Sequence, residues 1–192
     1  LSTGSVFVER CWLPAETVRR ARAAASTLRA HAFEGAAGGS IDQTVRSCRC
    51  VDLLSDELVL PSALSQVVRS FEQLRIEMIR HTGRPLLDIV EMQLLTYAVG
   101  GRYQRHVDLG VSTATLPVRR SISLILYLTP DDWAQCDGGY LRVYPDSAEP
   151  YDISPEPGSL VLFDSASVPH EVRRTARERV ACVGWFLEAR ED

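Results

Sequence analysis

The chain has 192 residues, the length of one domain with a sizeable core, and its 45% hydrophobic and 24% charged content is typical of a globular protein. Its formal net charge of −4 gives no electrostatic reason to expect nucleic acid or an anionic membrane as a partner. All 21 basic residues are arginine, which excludes a lysine Schiff base, and no apolar run approaches the roughly 20 residues that span a bilayer.

Two helices are predicted in the first half of the chain. The first follows Pro14, which suits a first helical turn, and its apolar face is formed by Val18, Ala21, Ala25, Leu28 and Ala32. The second ends near Gly83, and its apolar face is formed by Leu64, Val67, Val68, Phe71, Leu74 and Met78. The glycine-rich segment 35–40 between them is expected to be an exposed connector, with a lid over a site as the alternative.

The cysteines indicate a reducing environment. There are five of them, at Cys11, Cys48, Cys50, Cys136 and Cys182. An odd number without a secretory signal argues against a disulfide framework, so we expect a cytoplasmic location. Cys48 and Cys50 lack the two-residue spacer of common zinc sites, and we expect ordinary thiols in a strand.

Short predicted strands dominate the chain from Ile89 onward. They cover 89–98, 102–108, 120–129, 139–144, 158–163, 168–173 and 179–187, with turn signals between them. This pattern predicts a sandwich or jelly roll with the helices packed on the outer face of one sheet. We therefore expect a mainly β protein with supporting helices (α+β), formed by a single domain (1–192). Its first part, 1–88, is expected to be a helical support region, and 89–188 the β core.

Alternation along two strands predicts which side chains face a pocket. In 121–128 the even-numbered residues are all aliphatic and should pack between layers, whereas the odd-numbered face includes Tyr127 and suits a lined pocket. Arg179 shares its face with Ala181, Val183 and Trp185. A cation among apolar side chains needs a partner, either from the protein or from a bound anion.

His106, Asp108 and His170 are the candidate metal ligands. Residues two apart on a strand point to the same face, so His106 and Asp108 can act together, with His170 as the third ligand. Two histidines and one carboxylate on one side of an octahedral metal leave three positions for substrates, as in non-haem Fe(II) oxygenases. The other two histidines, His31 and His81, are expected to have no catalytic role.

The order of these motifs resembles a known family. The segments 97–108, 123–128, 137–145, 158–163 and 169–172, followed by Arg179 and 184–186, are similar to prolyl 4-hydroxylase-type oxygenases. The likeness is closest to the hypoxia-inducible-factor prolyl hydroxylase domain and its bacterial relatives. It covers residues 89–188 well and the first half only in outline. A histidine-x-aspartate motif alone is weak, but its combination with a distal histidine, an arginine nine residues later and an intervening Gly-Gly strand is specific.

The resemblance implies a double-stranded β-helix that binds Fe(II), 2-oxoglutarate and O2, with ascorbate as a reductant that can support turnover. It places His106, Asp108 and His170 on the iron ligands and Arg179 on the base that pairs with the distal carboxylate of 2-oxoglutarate. Tyr127 matches a tyrosine that hydrogen-bonds the same carboxylate, and Tyr97 matches another tyrosine of the pocket. Tyr103 and Trp185 match aromatics that line the site. Trp185 is otherwise expected to serve packing.

The expected reaction is hydroxylation of a C–H bond with release of succinate and CO2. The likeness alone suggests a prolyl residue in a peptide or protein as the substrate. A free amino acid or small biosynthetic intermediate is the alternative within the enzyme class, and the segment 110–120 contains no recognisable substrate-recognition pattern. Outside the class, the chain could be a non-catalytic metal-binding jelly-roll protein or a hydrolase that uses another divalent ion. The sequence predicts no oligomeric state.

Overall fold

The computed structural model describes residues 4–37, 39–109 and 117–190. Its two α-helices are α1 (Ala15–Thr27), which begins after Pro14, and α2 (Ser62–Thr82). Gly83 ends α2 in the left-handed conformation with φ of 67°, as its position in the sequence predicted. Among the described residues, no helix is long and apolar enough to cross a membrane.

Two antiparallel sheets form the rest of the fold. The larger sheet contains, in spatial order, β1 (Val6–Glu9), β10 (Leu160–Asp164), β7 (Val118–Tyr127), β12 (Arg179–Ala189), β5 (Leu86–Tyr97), β4 (Arg49–Asp52) and β2 (Phe33–Glu34). The smaller sheet contains, in spatial order, β3 (Arg46–Ser47), β6 (Arg102–His106), β11 (His170–Val172), β8 (Leu141–Val143) and β9 (Tyr151–Ile153). Two short 3₁₀ turns, Arg29–His31 and Gln135–Asp137, complete the elements. This is the expected jelly roll with supporting helices.

The core has two layers, which the alternation along β7 explains. Ile122, Leu124 and Leu126 of this strand join the apolar faces of α1 and α2 in a cluster between the helices and the larger sheet. The odd-numbered Ile125 and Tyr127 join residues of the smaller sheet in a second cluster, between the two sheets. The aliphatic face therefore packs between layers, and the mixed face points into the space between the sheets, as predicted.

The first half contributes more than helices. Strands β1 to β4 all come from residues before 53, and they belong to both sheets, whereas the sequence predicted two helices in this half and a strand only around Cys48 and Cys50. Two of these strands have only two residues, so they carry no alternation that a sequence could reveal. β9 was also missed. The division of the domain at residue 88 stays a prediction.

The connector at 35–40 also differs from its expected character. Gly39 and Ser40 are exposed, but Gly35 is buried, and its N–H donates to the carbonyl oxygen of Cys48 at 2.9 Å. The start of the segment is therefore part of the packed structure. Gly38 and residues 110–116 lie outside the described residues, and with them most of the segment 110–120.

Candidate metal and cosubstrate site

Three side chains that can bind a metal converge between the sheets. β6 ends at His106 and β11 begins at His170, and the two residues are paired across these neighbouring strands. Asp108 follows β6, so the predicted strand over 102–108 is two residues too long. The candidate ligand atoms all lie within 4.8 Å of one another, with Nε2 of His106 at 3.4 Å and Nε2 of His170 at 3.9 Å from Oδ1 of Asp108.

Backbone carbonyls hold both imidazoles in one tautomer. Nδ1 of His106 lies 2.8 Å from the carbonyl oxygen of Gln104, and Nδ1 of His170 lies 3.0 Å from that of Val168. Each Nδ1 must carry the hydrogen to donate to a carbonyl, which leaves the lone pair on Nε2 for a metal. Burial lowers the pKa of His170, so this ring is neutral at neutral pH, as a ligand must be.

Asp108 is oriented as firmly as the imidazoles. Its Oδ2 accepts hydrogen bonds from the Ser123 hydroxyl at 2.7 Å and the Trp185 indole N–H at 3.0 Å, so Oδ1 faces the two histidines. Burial alone would raise the pKa of Asp108, but His170, His106 and the Ser123 hydroxyl together hold it well below its ordinary value. The carboxyl group is therefore ionised and directed at the centre of the cluster.

The sequence did not predict that Ser123 and Trp185 donate hydrogen bonds to Asp108. Trp185 on β12 and Ser123 on β7 are directly opposite each other across the two strands, so a single cross-strand pair supplies both hydrogen bonds. Trp185 was expected to serve packing, and Ser123 was given no role. The available signal was alternation, because each residue shares a face with a residue already singled out, Arg179 and Tyr127 respectively.

A second set of polar atoms lies deeper in the same space and lacks partners. Arg179 is 1% exposed, and its Nε donates to the carbonyl oxygen of Gly139 at 2.9 Å. Its Nη2 and the Tyr127 hydroxyl are both buried without a hydrogen-bond partner. Among the described residues, no acidic side chain forms an ion pair with Arg179. Burial raises the pKa of Tyr127, with Arg179 acting in the opposite direction, so the hydroxyl keeps its proton as a donor.

Gly139 explains the Gly-Gly signal in the sequence. Its backbone has φ of +66°, a conformation that side chains disfavour, and an added Cβ would lie 2.9 Å from Cδ of Arg179. Gly138 has the same φ, and a Cβ there would lie 2.6 Å from the carbonyl oxygen of Arg174. The glycine pair therefore lets the backbone approach the guanidinium closely enough to accept its hydrogen bond.

One cavity of about 530 Å³ reaches from the candidate metal ligands to Arg179, and the Tyr127 ring lies against this arginine, with its centroid 5.0 Å from the guanidinium carbon. Its lining includes the three candidate metal ligands and the pocket residues Arg179, Tyr97, Tyr103 and Trp185. The Tyr103 ring stacks on His106 with ring centroids 3.5 Å apart, and the Tyr97 ring centroid lies 5.2 Å from the Arg179 guanidinium carbon. All of the aromatics singled out in the sequence thus lie at the site or against its arginine.

The remaining histidines lie elsewhere. His31 is exposed in the first 3₁₀ turn, and His81 is exposed near the end of α2, beside Glu77. Among the described residues, the only cluster of three or more metal-binding side chains is the one formed by His106, Asp108 and His170.

The residues fit both groups that the motifs suggested. Two imidazole nitrogens and one carboxylate oxygen are the donor set that non-haem Fe(II) oxygenases use. An unpaired buried guanidinium N–H beside an unpaired hydroxyl requires an acceptor with negative charge, which a carboxylate provides. The metal ligands and Arg179 line the same cavity, so one molecule that chelates the metal could also place a distant carboxylate beside the arginine.

Comparisons with known proteins agree with this geometry. Residues 92–187, half of the chain, match the family model of the 2OG-Fe(II) oxygenase superfamily. Over 94 residues, the chain is 38% identical to a hypoxia-inducible factor prolyl hydroxylase of Caenorhabditis elegans and 34% identical to Egl nine homolog 1 of Homo sapiens. Each alignment covers 48% of this chain but only 12% and 21% of the two relatives. The chain thus spans a small part of these curated relatives.

Solved structures match over nearly the whole chain. A prolyl-4-hydroxylase of Pseudomonas putida has a TM-score of 0.84 and 28% identity, with 97% of this chain and 94% of that chain covered. A prolyl hydroxylase of Trichoplax adhaerens, solved with a hypoxia inducible factor peptide fragment, has a TM-score of 0.82, 20% identity and coverage of 96% and 84%. At that identity, the second match shows the fold alone. From the family match over half its length and the agreement of its fold, the chain belongs to the 2OG-Fe(II) oxygenase superfamily.

Proposed function

We propose that this protein is an Fe(II)- and 2-oxoglutarate-dependent dioxygenase that hydroxylates a C–H bond and releases succinate and CO2. The observation that carries the proposal is a complete histidine–aspartate–histidine cluster that lines one cavity together with Arg179, whose unpaired Nη2 is accompanied by the unpaired hydroxyl of the adjacent Tyr127. When bound, Fe(II) with O2 and 2-oxoglutarate supplies the oxidising power.

The protein's own residues would hold and orient these groups. His106 and His170 would bind the metal through Nε2 and Asp108 through Oδ1, while the backbone carbonyls, Ser123 and Trp185 keep these atoms directed inward. The metal would then be held on one side only, with its other side open to the cavity.

Arg179 and Tyr127 would fix the far end of 2-oxoglutarate. Arg179 remains charged at any physiological pH, so the anchor needs no protonation control. A bound carboxylate would accept hydrogen bonds from Nη2 of Arg179 and the Tyr127 hydroxyl, which satisfies both groups that now lack a partner. Tyr97, 1% exposed and opposite Arg179 on the neighbouring strand, would close this end of the cavity against water.

A prolyl residue in a peptide or protein is the proposed substrate. The P. putida neighbour that supports this choice is a prolyl-4-hydroxylase aligned over nearly all of both chains. The lining of the cavity also reaches Phe33 and Leu109, which are 47% and 67% exposed. Solvent-exposed apolar side chains at the rim of a cavity can contact a peptide substrate on either side of the residue that reacts.

The activity is tested by mixing anaerobic protein with Fe(II), 2-oxoglutarate and a panel of prolyl peptides, and then adding oxygen. We expect succinate to form in proportion to peptide, with one oxygen atom added to a prolyl residue, as measured by mass spectrometry. Turnover of free L-proline without turnover of any peptide would favour a small-molecule substrate. Binding of Fe(II) and 2-oxoglutarate without oxygen consumption would favour the non-catalytic alternative, and activity with zinc and no keto acid the hydrolase.

Two further properties belong to the proposal. The five cysteines are all free, which supports a reducing compartment such as the cytoplasm. Ascorbate is proposed as a reductant that supports turnover, and omitting it from the assay tests this directly. We expect initial rates to persist without ascorbate but the number of turnovers per protein to fall.

A further inference from the structure

Cys48 and Cys50 form a close thiol pair at the wall of the active-site cavity. Cys48 lies in the break between β3 and β4, and Cys50 is the second residue of β4. Their sulfur atoms are 3.8 Å apart, and both side chains are buried, at 5% and 1% exposed. Cys50 lines the same cavity as the candidate metal ligands. These positions bring two thiols together where the sequence suggested only ordinary thiols in a strand.

One guanidinium holds both sulfur atoms. Nε of Arg46 lies 3.2 Å from Sγ of Cys48, and Nη2 lies 3.5 Å from Sγ of Cys50, while Nη1 donates to the carbonyl oxygen of Ala36 at 2.7 Å. Among the described residues, no carboxylate forms an ion pair with Arg46. The guanidinium lies over the Tyr103 ring, 4.8 Å from its centroid, and the two sulfur atoms are the hydrogen-bonded neighbours that can carry a negative charge. A thiolate offsets the charge of Arg46 better than a thiol does.

The surroundings are shaped for this arrangement. Gly35 packs directly over the pair, since an added Cβ there would lie 2.7 Å from Sγ of Cys48 and 2.9 Å from Nε of Arg46. Any larger residue at position 35 would push the thiol and the guanidinium apart. Gly35 is therefore buried, although the sequence predicted an exposed connector, because it packs against Cys48 and Arg46.

The two thiols differ in acidity. The hydrogen bond from Cys50 and the charge of Arg46 lower the pKa of Cys48 to about 6, against the effect of burial. The hydrogen bond to Cys48, together with burial, raises the pKa of Cys50 well above its ordinary value. Cys48 is the thiolate at neutral pH, and Cys50 is the protonated thiol beside it. Cys182 has no such neighbour, and burial raises its pKa to about 12.

We propose that Cys48 and Cys50 are a redox-active dithiol that hydrogen peroxide converts to an intrachain disulfide, with Cys48 as the attacking thiol. The Cys48 thiolate attacks one peroxide oxygen, so that an S–O bond forms, the O–O bond breaks and the departing hydroxide takes a proton to become water. Loss of the negative charge on Cys48 then frees Arg46 to stabilise the Cys50 thiolate. This thiolate attacks the sulfur of Cys48, and the S–S bond forms as the S–O bond breaks. The departing hydroxide takes up the proton that Cys50 has released and leaves as a second water.

The proposal does not depend on the hydroxylase function, because the site needs only the thiols, Arg46 and peroxide. The chain offers a direct readout, since Arg49 lies between the two cysteines. After unfolding and alkylation of free thiols, trypsin cleaves the reduced protein at Arg49 and releases two separate alkylated peptides. The disulfide joins the same two peptides, 47–49 and 50–69, into one species that is two hydrogens lighter than their unalkylated sum.

The protein is treated with a slight excess of peroxide, both as the natural chain and with the exposed Cys11 and Cys136 replaced by serine. We expect the joined peptide to form in both and to disappear on addition of dithiothreitol, while Cys182 stays alkylatable only after unfolding. Absence of the joined peptide at peroxide doses that oxidise Cys11 in the natural chain would overturn the proposal.

Single variants test the order of the two steps. In Cys50→Ser, peroxide should leave a sulfenic acid on Cys48 that dimedone labels, whereas Cys48→Ser should give at least tenfold less label on Cys50. Arg46→Met should slow disulfide formation at pH 7 by roughly tenfold or more, because the thiolate fraction of Cys48 falls. Arg173→Met, which removes an exposed arginine paired with Glu171, is the matched control and should leave the rate unchanged. Equal labelling of the two single variants, or no effect of Arg46→Met, would contradict the assigned roles.

Discussion

The two ends of the active-site cavity differ in how completely their polar atoms are satisfied. At the metal end, each imidazole has a carbonyl partner and the carboxylate has two donors, so the ligands are held without any metal. At the anion end, Nη2 of Arg179 and the hydroxyl of Tyr127 have no partner. One end is preorganised, and the other gains its missing acceptor only with a ligand.

This difference predicts opposite effects on stability. Removing a group at the preorganised end leaves its partners unsatisfied and should destabilise the protein. Removing an unpaired group at the other end should stabilise it, because a polar group is no longer buried without a partner. The Arg179 and Tyr127 variants therefore call for two measurements each, cosubstrate binding and the free energy of unfolding of the protein without ligands.

The largest effect is expected for Asp108→Ala. The loss of the only carboxylate in the cluster should reduce turnover by about 1,000-fold or more and weaken Fe(II) binding by at least 100-fold, since it also deprives Ser123 and Trp185 of their acceptor. Isothermal titration with Fe(II) under anaerobic conditions measures this. Asp152→Ala, which removes a carboxylate paired with Arg142 away from the cavity lining, is the control and should bind the metal normally. Normal metal binding by Asp108→Ala would place the metal elsewhere.

Arg179→Met should separate the two ends most clearly. We expect the 2-oxoglutarate concentration for half-maximal rate to rise by about 100-fold, as a buried charge-assisted contact is lost, while Fe(II) affinity changes by less than about threefold. The free energy of unfolding should stay the same or rise, because an uncompensated buried cation has been removed. Thermal unfolding without ligands measures that change. A large loss of stability would show that Arg179 is already satisfied within the fold.

Trp185→Phe tests the second donor to Asp108. The phenyl ring keeps most of the packing but removes the indole N–H that lies 3.0 Å from Oδ2. Metal affinity should fall by about tenfold, because the loss of a hydrogen bond to a metal ligand typically weakens metal binding by about 10- to 100-fold. The half-saturating 2-oxoglutarate concentration, measured at saturating metal, should stay within about twofold of the parent. An unchanged metal affinity would return Trp185 to a packing role.

Tyr127→Phe is expected to have the smallest effect. The loss of one hydrogen bond to the cosubstrate, about 1 kcal/mol, should raise the half-saturating 2-oxoglutarate concentration by roughly fivefold. The protein without ligands should become slightly more stable, because the unpaired hydroxyl is gone. We therefore expect Tyr127→Phe to bind 2-oxoglutarate more weakly and, without ligands, to have a higher free energy of unfolding. If binding and stability fell together, the hydroxyl would have a partner within the protein.

The sequence predicted those parts of the site that depend on local spacing. His106 and Asp108 are two residues apart, Arg179 sits on an apolar strand face, and the alternation along β7 assigned Tyr127 to the pocket side. Each of these inferences uses the geometry of a single strand, which a short stretch of sequence determines. The jelly roll and its covering helices followed from the same periodicities.

The sequence could not predict features that depend on pairing between distant segments. Ser123 and Trp185 act together on Asp108 only because β7 and β12 pair in one register, and no local pattern encodes that register. The strands β2 and β3 are too short to show a period, so the placement of Arg46 beside the two thiols was also out of reach. Such contacts arise from the assembled sheets.

The central claim is that the metal cluster and the anion pocket form one joint site for a chelating cosubstrate. It is tested most directly by an anaerobic crystal structure with Mn(II), as a redox-inert stand-in for Fe(II), and N-oxalylglycine, an unreactive analogue of 2-oxoglutarate. We predict one metal bound to Nε2 of His106, Nε2 of His170 and Oδ1 of Asp108, with the far carboxylate of the chelated analogue on Arg179 and Tyr127. A metal bound elsewhere, or an analogue whose far carboxylate leaves Arg179 without a partner, would contradict the account.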